Sequence, residues 1–285
     1  MILVAESGSS KADWVLSFPD LSNQIEFRTK GINPFFLSEK EIVKILQNTP
    51  EILPYFNDVK EIYFFGAGCS SPDKRELISN ALSKLFIKAY INVDNDLIAA
   101  VYACCGNSPG FSCILGTGSN ISYFDGTEIH SGKHGLGYIL GDEGSGTYFG
   151  RKLITGYLYK SMPKHLQKEF FSTYELDKES VIRDVYNKVA PNFFLASFTK
   201  FMSVHIDEPY IQKLLYDGFQ EFIQSIIKSY PDYKLYTCHF VGSIAYHFRD
   251  VLKQVCEENQ VLVGKILKHP IQELNKFILS REMNV

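Results

Sequence analysis

The chain has 285 residues, enough for two lobes with separate cores, and its 45% hydrophobic and 21% charged residues exclude an intrinsically disordered protein. Its net charge of −3 gives no electrostatic reason to expect nucleic acid or an anionic membrane as a partner, and no stretch approaches the roughly 18 apolar residues of a membrane helix. Six cysteines without a C-x-x-C pair predict buried thiols in a reducing compartment, and with no secretion signal before the first strand we expect a cytoplasmic protein.

The first 105 residues show strands followed by alternating helices and strands. Apolar and alternating runs predict a hairpin around the turn at residues 6–11. Ser38, with Glu41 three residues later, predicts a capped helix start. The predicted strands cover 2–5, 14–18, 24–29, 61–68 and 89–93, and the predicted helices cover 39–47, 74–86 and 97–105. This order is typical of a ribonuclease-H-like lobe.

The same beginning recurs after residue 106. Strands are predicted over 112–115, 120–124 and 128–131, followed by a mostly helical region over about 146–230. A strand, a helix, a strand and a helix then follow over 235–241, 244–257, 261–267 and 270–280. The sequence therefore predicts an α/β protein of two ribonuclease-H-like lobes, residues 1–105 and 106–285, with a cleft between them. We expect the last helix to pack back on the first lobe.

Glycine- and hydroxyl-rich turns follow the first strand of each predicted lobe. Glu6–Lys11 forms one turn and Gly116–Ser119 the other. Their backbone N–H groups suit phosphate, and two such hairpins across a cleft could hold a triphosphate tail. A solvated β-turn is the alternative for the first. Gly242-Ser243, between a strand and a helix, fits either a nucleotide or an ordinary N-cap at Ser243.

Five motifs occur in one order along the chain. They are Glu6-Ser7-Gly8-Ser9-Ser10-Lys11, Val93-Asp94, Leu115-Gly116-Thr117-Gly118-Ser119-Asn120, Gly137-Tyr138-Ile139-Leu140-Gly141-Asp142-Glu143-Gly144-Ser145 and Val241-Gly242-Ser243. In this order and spacing the chain resembles the N-acetylglucosamine kinase branch of the sugar kinase, heat-shock chaperone and actin superfamily, which is grouped with the BadF/BadG/BcrA/BcrD-type ATPases. The resemblance implies an actin-like ATPase fold, ATP with Mg²⁺, a small sugar as substrate, and homodimerisation.

The resemblance assigns roles residue by residue. Asp94 matches the general base that takes the proton of a sugar hydroxyl, with Asp96 as a competing carboxylate that could instead only cap a helix. Asn33 matches a sugar contact, although a turn residue is its alternative. The sugar contacts implied are Asn33, Asp94, Ser119, Asn120, Gly135, Leu136, Gly137 and Asp142. The nucleotide contacts implied are Gly8, Ser9, Ser10, Lys11, Thr117, Gly118, Ala196, Gly242 and Ser243.

The function implied is an ATP-dependent kinase of N-acetylglucosamine or a related hexosamine or hexose, with the 6-hydroxyl as acceptor. Leu136 stands where the vertebrate-type enzyme has a tryptophan, so the resemblance does not extend to the contact with the N-acetyl group. One alternative is an activator-type ATPase that couples hydrolysis to conformational change. Another is a catalytically silent sugar-binding regulator, against which the retention of Asp94 argues.

Overall fold

A computed structural model describes residues 1–8, 11–20, 23–131, 134–187 and 190–282. The chain divides into two compact units, the first made of residues 1–107 with 270–285 and the second of residues 108–269. The predicted boundary lies after residue 105, with the last helix counted in the second lobe but expected to pack back on the first. Throughout the described ranges, no helix is both long and apolar enough to cross a membrane.

The strands and helices occur in the predicted order, and the α/β class is confirmed. The strands are β1 (Ile2–Ser7), β2 (Lys11–Ser17), β3 (Gln24–Lys30), β4 (Glu61–Gly66), β5 (Tyr90–Asn95), β6 (Gly110–Leu115), β7 (Ser119–Phe124), β8 (Ile129–His130), β9 (Thr237–Val241) and β10 (Val263–Leu267). The helices are α1 (Glu39–Gln47), α2 (Pro72–Ser83), α3 (Asp96–Cys105), α4 (Gly137–Leu140), α5 (Gly146–Leu158), α6 (Lys164–Tyr174), α7 (Lys178–Asn187), α8 (Pro191–Ser197), α9 (Thr199–Val204), α10 (Pro209–Ser225), α11 (Ser243–His247), α12 (Arg249–Glu258) and α13 (Ile271–Glu282).

The first unit contains a five-stranded sheet in the order β3-β2-β1-β4-β5. β1 runs antiparallel to β2 and parallel to β4, and β4 runs parallel to β5. The register pairs Ser7 with Gly66 and Gly66 with Asn95, so these three strands end together. Ligands of open α/β sheets bind beyond the carboxyl ends of the strands. This edge is therefore where the residues that follow β1, β4 and β5 can form a site.

Helix α1 has the capped start that the sequence predicts. The Ser38 hydroxyl accepts the N–H of Glu41, and the Glu41 carboxylate accepts the N–H of Ser38 at 2.8 Å. The apolar face of α1 is buried in the same core as Trp14. Helix α13 packs against α3, where Tyr102 stacks on Phe277 with ring centroids 4.7 Å apart. The last helix is therefore part of the first unit.

The second unit contains a sheet in the order β10-β9-β6-β7-β8, with β6 parallel to β9 and antiparallel to β7. Helices from the predicted helical region pack around it and around each other. A close approach joins α5 and α8, where a Cβ added at Gly150 would lie 1.8 Å from the carbonyl oxygen of Leu195. Only glycine allows the two backbones to come this near. This contact places α8 beside the start of α5.

Two differences from the predicted element boundaries bear on the site and on the last strands and helices. β5 continues past Val93 to Asn95, because β4 extends the ladder as far as Gly66 and pairs with both added residues. Asp94 therefore lies inside a strand, and Asp96 becomes the first residue of α3. The helix predicted over 244–257 is two helices, α11 and α12, separated at Phe248, whose φ of −110° and ψ of 25° are not helical.

Candidate active site

The end of β1 holds the loop that carries Asn33. The Ile32 N–H donates to the Ser7 hydroxyl at 2.8 Å, and the Ala67 N–H donates to the Ser7 carbonyl oxygen at 2.7 Å. Ser7 is fully buried, so water does not compete for these hydrogen bonds. Ser7 thus joins β1, the Asn33 loop and the turn after β4 at one edge of the first sheet.

Asn33, a predicted sugar contact, is buried in this loop. Its side-chain oxygen accepts the Phe35 N–H at 2.9 Å, and a Cβ added at Gly68 would lie 2.6 Å from that oxygen. The asparagine therefore has the turn-forming role that the sequence leaves open as an alternative. Phe35, two residues along the same loop, is 61% exposed.

Glu6, near the end of β1, belongs to the first motif but has no predicted role. Burial raises its pKa to about 7, with further increases from the carboxylates of Asp96 and Asp13 and an opposing effect of Lys11. Asp13 is itself paired with Lys11 at 3.4 Å and with Arg28 at 2.5 Å. The repulsion between Glu6 and Asp96 remains, so added positive charge at the end of β1 is favourable.

Asp94, the predicted base, faces a cavity alongside β4 and β5. Its Oδ1 atom lies 3.5 Å from Nη1 of Arg75, and its side chain is 44% exposed. The cavity has a volume of about 500 Å³, and Tyr63, Tyr102 and Arg281 are among the residues that line it with Asp94. Asp94 therefore belongs to a mixed polar and aromatic cavity of the first unit.

Asp96 follows β5 directly, as the first residue of α3. Asn95 is the N-cap, because its side-chain oxygen accepts the Ile98 N–H at 3.1 Å, so Asp96 is not needed for that role. Burial raises the pKa of Asp96, and hydrogen bonds from its own N–H and that of Leu97 oppose this effect. A carboxylate at the end of a strand with a pKa that partial burial raises suits a general base.

The first predicted phosphate motif forms the hairpin between β1 and β2. The N–H of Gly8 donates to the carbonyl oxygen of Lys11 at 3.0 Å. Ser9 and Ser10, both predicted nucleotide contacts, lie outside the described residues. Gly8 and Lys11 therefore lie next to Ser7, at the edge where β1 ends.

The second predicted phosphate motif forms the hairpin between β6 and β7, and α5 anchors it. The Gly116 N–H donates to the Gly118 carbonyl oxygen at 3.0 Å, and the Gly146 N–H donates to the Gly116 carbonyl oxygen at 2.8 Å. Thr147 donates to the carbonyl oxygen of Thr117 from its N–H at 3.0 Å and from its hydroxyl at 2.7 Å. The first turn of α5 therefore holds this hairpin rigid.

Three predicted nucleotide contacts come to this hairpin from distant parts of the second unit. A Cβ added at Gly146 would lie 3.1 Å from the Cβ of Ala196. Gly242 has a φ of +124°, and a Cβ there would lie 2.3 Å from the carbonyl oxygen of Leu115. Gly242 is also the N-cap of α11, and Ser243 follows as an exposed first residue of the helix. Ser243 therefore does not form the N-cap considered as its alternative.

Asp142 lies against the Gly118 side of the hairpin. Its Oδ1 accepts the Ser119 N–H at 3.2 Å, and a Cβ added at Gly118 would lie 2.8 Å from its Oδ2. Burial raises the pKa of Asp142, and the hydrogen bond from the Ser119 N–H lowers it. Glu143 has a smaller raising effect and Arg151 a smaller lowering effect. Asp142 also has a φ of +59°, a strained conformation that concentrates at functional sites.

Ser119 and Asn120 lie on opposite faces of β7, because consecutive strand residues alternate. The Ser119 hydroxyl is buried and has no hydrogen-bond partner among the described residues. The Asn120 side-chain oxygen accepts the Ile121 N–H at 2.8 Å, and a Cβ added at Gly135 would lie 2.6 Å from the Asn120 Nδ2. Asp142 thus lies beside Ser119, and Gly135 beside Asn120, so these predicted sugar contacts form two small polar groups.

Leu136 and Gly137 connect these groups. Leu136 precedes the short helix α4 and is 68% exposed, like Ile139 and Leu140 within it. Gly137 has a φ of +76°, with no atom within 4 Å of an added Cβ. The segment therefore presents an apolar surface next to the Asn120–Gly135 contact.

Three residues in or beside these groups have no predicted role. Thr147 binds the second hairpin, Arg75 pairs with Asp94, and Glu6 has a strongly raised pKa. The place of Glu6 directly before the first glycine turn was a usable signal. Thr147 and Arg75 carry no sequence signal of their own. Their contacts, with Thr117 and Asp94, join residues that are 30 and 19 positions apart in the sequence.

No family model matches the chain, but related proteins and solved structures do. A solved structure from Porphyromonas gingivalis, provisionally named an N-acetylglucosamine kinase, is 37% identical, covers 99% of this chain and 100% of that chain, and has a TM-score of 0.91. A Clostridium acetobutylicum protein named N-acetylmuramic acid/N-acetylglucosamine kinase is 28% identical over 212 residues, which are 70% of this chain and 68% of that protein. A ROK family glucokinase from Streptomyces griseus, solved with glucose and AMPPNP, shares the fold at 12% identity and a TM-score of 0.59, over 99% of each chain.

Proposed function

The chain belongs to the N-acetylglucosamine kinase-like family of sugar kinases, and from this premise we propose that it transfers the γ-phosphoryl group of ATP to N-acetylglucosamine or a related hexosamine or hexose. The position of Asp142 is the observation that supports this proposal at the level of single residues. The Ser119 N–H holds its carboxylate against a glycine hairpin. A carboxylate and an orphaned buried hydroxyl suit the hydroxyls of a sugar. We further propose that the protein acts in the cytoplasm and forms a homodimer.

The proposed reaction joins a sugar hydroxyl to the γ-phosphorus of ATP. The new oxygen–phosphorus bond forms as the bond between the γ-phosphorus and the bridging oxygen of ADP breaks. The hydroxyl proton moves to a carboxylate base. The products are a sugar phosphate and ADP, and the proton is later released to water.

Two carboxylates of β5 and α3 are candidates for that base. Asp94 is the residue that the resemblance assigns, but it lies inside β5, half exposed and paired with Arg75. Asp96 lies at the end of the strand, and burial raises its pKa towards the range in which a base works well. We therefore propose Asp96 as the general base and retain Asp94 as the alternative.

The residues around the second hairpin fit the phosphates of ATP. Nothing lies within 4 Å of a Cβ added at Gly116, so the backbone there is open to a ligand. Gly242 and Ala196 supply a backbone and a small side chain next to it, and Ser243 supplies an exposed hydroxyl. We propose that this group of residues binds the nucleotide.

Glu6 is the residue we propose to hold Mg²⁺, directly or through water. No group of three or more potential metal ligands is found in the part of the chain that the structure describes. Mg²⁺ in kinases is commonly held by one or two carboxylates, waters and the substrate phosphates, so such a group is not required. When bound, Mg²⁺ offsets the negative charge of the transferring phosphate. The carboxylates of Asp96 and Asp13, which help to raise the pKa of Glu6, also favour a bound cation beside it.

We predict that Gly116→Ala weakens nucleotide binding but leaves the stability of the fold almost unchanged. The added methyl group meets no atom of the chain within 4 Å, so we expect a change in the free energy of unfolding of less than about 1 kcal/mol. The same methyl group occupies the space offered to phosphate, and we expect the KM for ATP to rise by about tenfold or more, roughly 1.4 kcal/mol. Urea unfolding and ATP-dependent initial rates measure the two effects.

Gly242→Ala is the comparison for that variant. Its Cβ would lie 2.3 Å from a backbone oxygen and its φ is +124°, so we expect a loss of about 3 kcal/mol or more in the free energy of unfolding. If Gly116→Ala kept both its stability and its KM for ATP, the second hairpin would not be a phosphate site.

Incubation with ATP, Mg²⁺ and a panel of hexoses and hexosamines tests the proposed function. We expect ADP and a phosphorylated sugar in equal amounts, with N-acetylglucosamine or a close relative as the preferred acceptor. ATP turnover that does not depend on sugar would indicate the activator-type ATPase instead. Sugar binding without turnover would indicate the silent regulator. Each of these two results would overturn the proposal.

A further inference from the structure

We propose that β3 is the surface through which two copies of this chain associate, with the two β3 strands paired antiparallel about a two-fold axis at Phe27. β3 is an edge strand in the sheet order, and its seven residues pair with β2 in unbroken register. Its other side pairs with no strand of the described residues. A regular edge of this length, without a proline or a bulge, is suited to pairing with another strand.

The charges along β3 are ordered. Its exposed residues are Gln24, Glu26, Arg28 and Lys30, so acid precedes base along one face of the strand. The Phe27 side chain between them is buried on the other face, where it stacks on Trp14 with centroids 5.7 Å apart. The exposed face can therefore contact a partner without disturbing the core.

Antiparallel pairing centred on Phe27 brings opposite charges together. It places Glu26 opposite Arg28 of the partner subunit, and the symmetry repeats this pair. Gln24 then lies opposite Lys30 of the partner subunit, a polar pair. Opposite charges that face each other across strands stabilise pairing, and like charges disfavour it.

Other pairings of the same strand are disfavoured. Parallel pairing in register would place Glu26, Arg28 and Lys30 each against its own copy. Antiparallel pairing centred on Glu26 or on Arg28 would place that charge against itself, and centring on Thr29 would place Arg28 against Lys30 of the partner subunit. The charges thus favour one register among these alternatives, which an edge protected only by lysines would not do.

The Arg28 side chain is fixed and still accessible. Its Nε lies 2.5 Å from Asp13 on the neighbouring strand, while 57% of the side chain is exposed. A guanidinium group has five N–H donors, so it can bind Asp13 and a second carboxylate together. A groove of about 560 Å³ borders β3 on the α1 side, with Leu37 and Ile45 in its lining. The groove leaves room for side chains of the partner subunit.

Sedimentation velocity at several protein concentrations tests this proposal. We expect a dimer of the 32.4 kDa chain, and we expect Glu26→Arg to raise the dissociation constant by about 30-fold, because two attractions per dimer become two repulsions. Glu257→Arg makes the same charge change at an exposed residue of α12 in the second unit and should leave the dimer unchanged. A monomer at all concentrations, or a dimer that Glu26→Arg does not weaken, would overturn the proposal.

Disulfide trapping tests the register. The six native cysteines are buried, so introduced thiols dominate cross-linking. Gln24→Cys and Lys30→Cys should cross-link when the two single variants are mixed and oxidised, because residues 24 and 30 lie opposite each other in the proposed pair. Each variant alone should form far less dimer on a non-reducing gel. Equal cross-linking in the mixture and in either single variant would contradict the register, whatever the kinase activity.

Discussion

Asp96→Asn is expected to lower the turnover number for sugar phosphorylation by about 10²- to 10⁴-fold, the range that a general base contributes. The variant keeps the shape of the side chain and leaves the N-cap of α3 intact, because Asn95 forms it. We therefore expect the chain to fold and to bind ATP with little change in affinity. Initial rates at saturating sugar and ATP, with a separate ATP titration, measure the two effects.

Asp94→Asn is the matched control for that prediction. The two residues are two positions apart, and both substitutions remove one negative charge. Because Asp94 lines the cavity alongside β4 and β5, its loss should lower turnover by less than about tenfold, below the range expected for a base. A larger loss in Asp94→Asn than in Asp96→Asn would instead support the assignment that the family resemblance implies.

Glu6→Gln is expected to increase the free energy of unfolding at pH 8 by up to about 3 kcal/mol, since each pKa unit of difference between the folded and unfolded states counts about 1.4 kcal/mol. Folding raises the pKa of Glu6 from 4.5 to about 7, so the folded state holds a proton that the unfolded state has lost between these values. The contribution of Glu6 to the free energy of unfolding of the wild type is therefore fully present below pH 4.5, and it is lost as the pH rises through 7. Glutamine carries no such charge.

The gain in Glu6→Gln should therefore be large at pH 8 and small at pH 4.5, and urea unfolding at the two values measures it. Glu51→Gln, at an exposed position, should change the free energy of unfolding by less than about 0.5 kcal/mol at either pH. We also expect Glu6→Gln to require more Mg²⁺ for half-maximal turnover if Glu6 holds the metal. A gain that does not depend on pH would contradict the proposed origin of the raised pKa.

The residues of the second unit show how far a motif can be interpreted before the fold is known. The glycine turn at 116–118 could be identified from its composition, because glycines after a buried strand are a local signal. The family resemblance names Ala196 and Gly242 as nucleotide contacts, but their packing against this turn, through a helix and through a strand far along the chain, is visible only in the tertiary structure. Helix α5 binds the turn through Thr147, a residue that no pattern singles out.

The α/β class, the order of the elements and the capped start of α1 were determined by the sequence itself, because hydrophobic periodicity and cap residues act over a few neighbours. The family motifs were visible for the same reason. The tertiary structure alone decided that β5 continues to Asn95, since that depends on pairing with β4. It thereby placed Asp94 inside a strand and Asp96 at its end. Burial, which no linear pattern encodes, then raised the pKa values of Glu6 and Asp96, and neighbouring carboxylates raised that of Glu6 further.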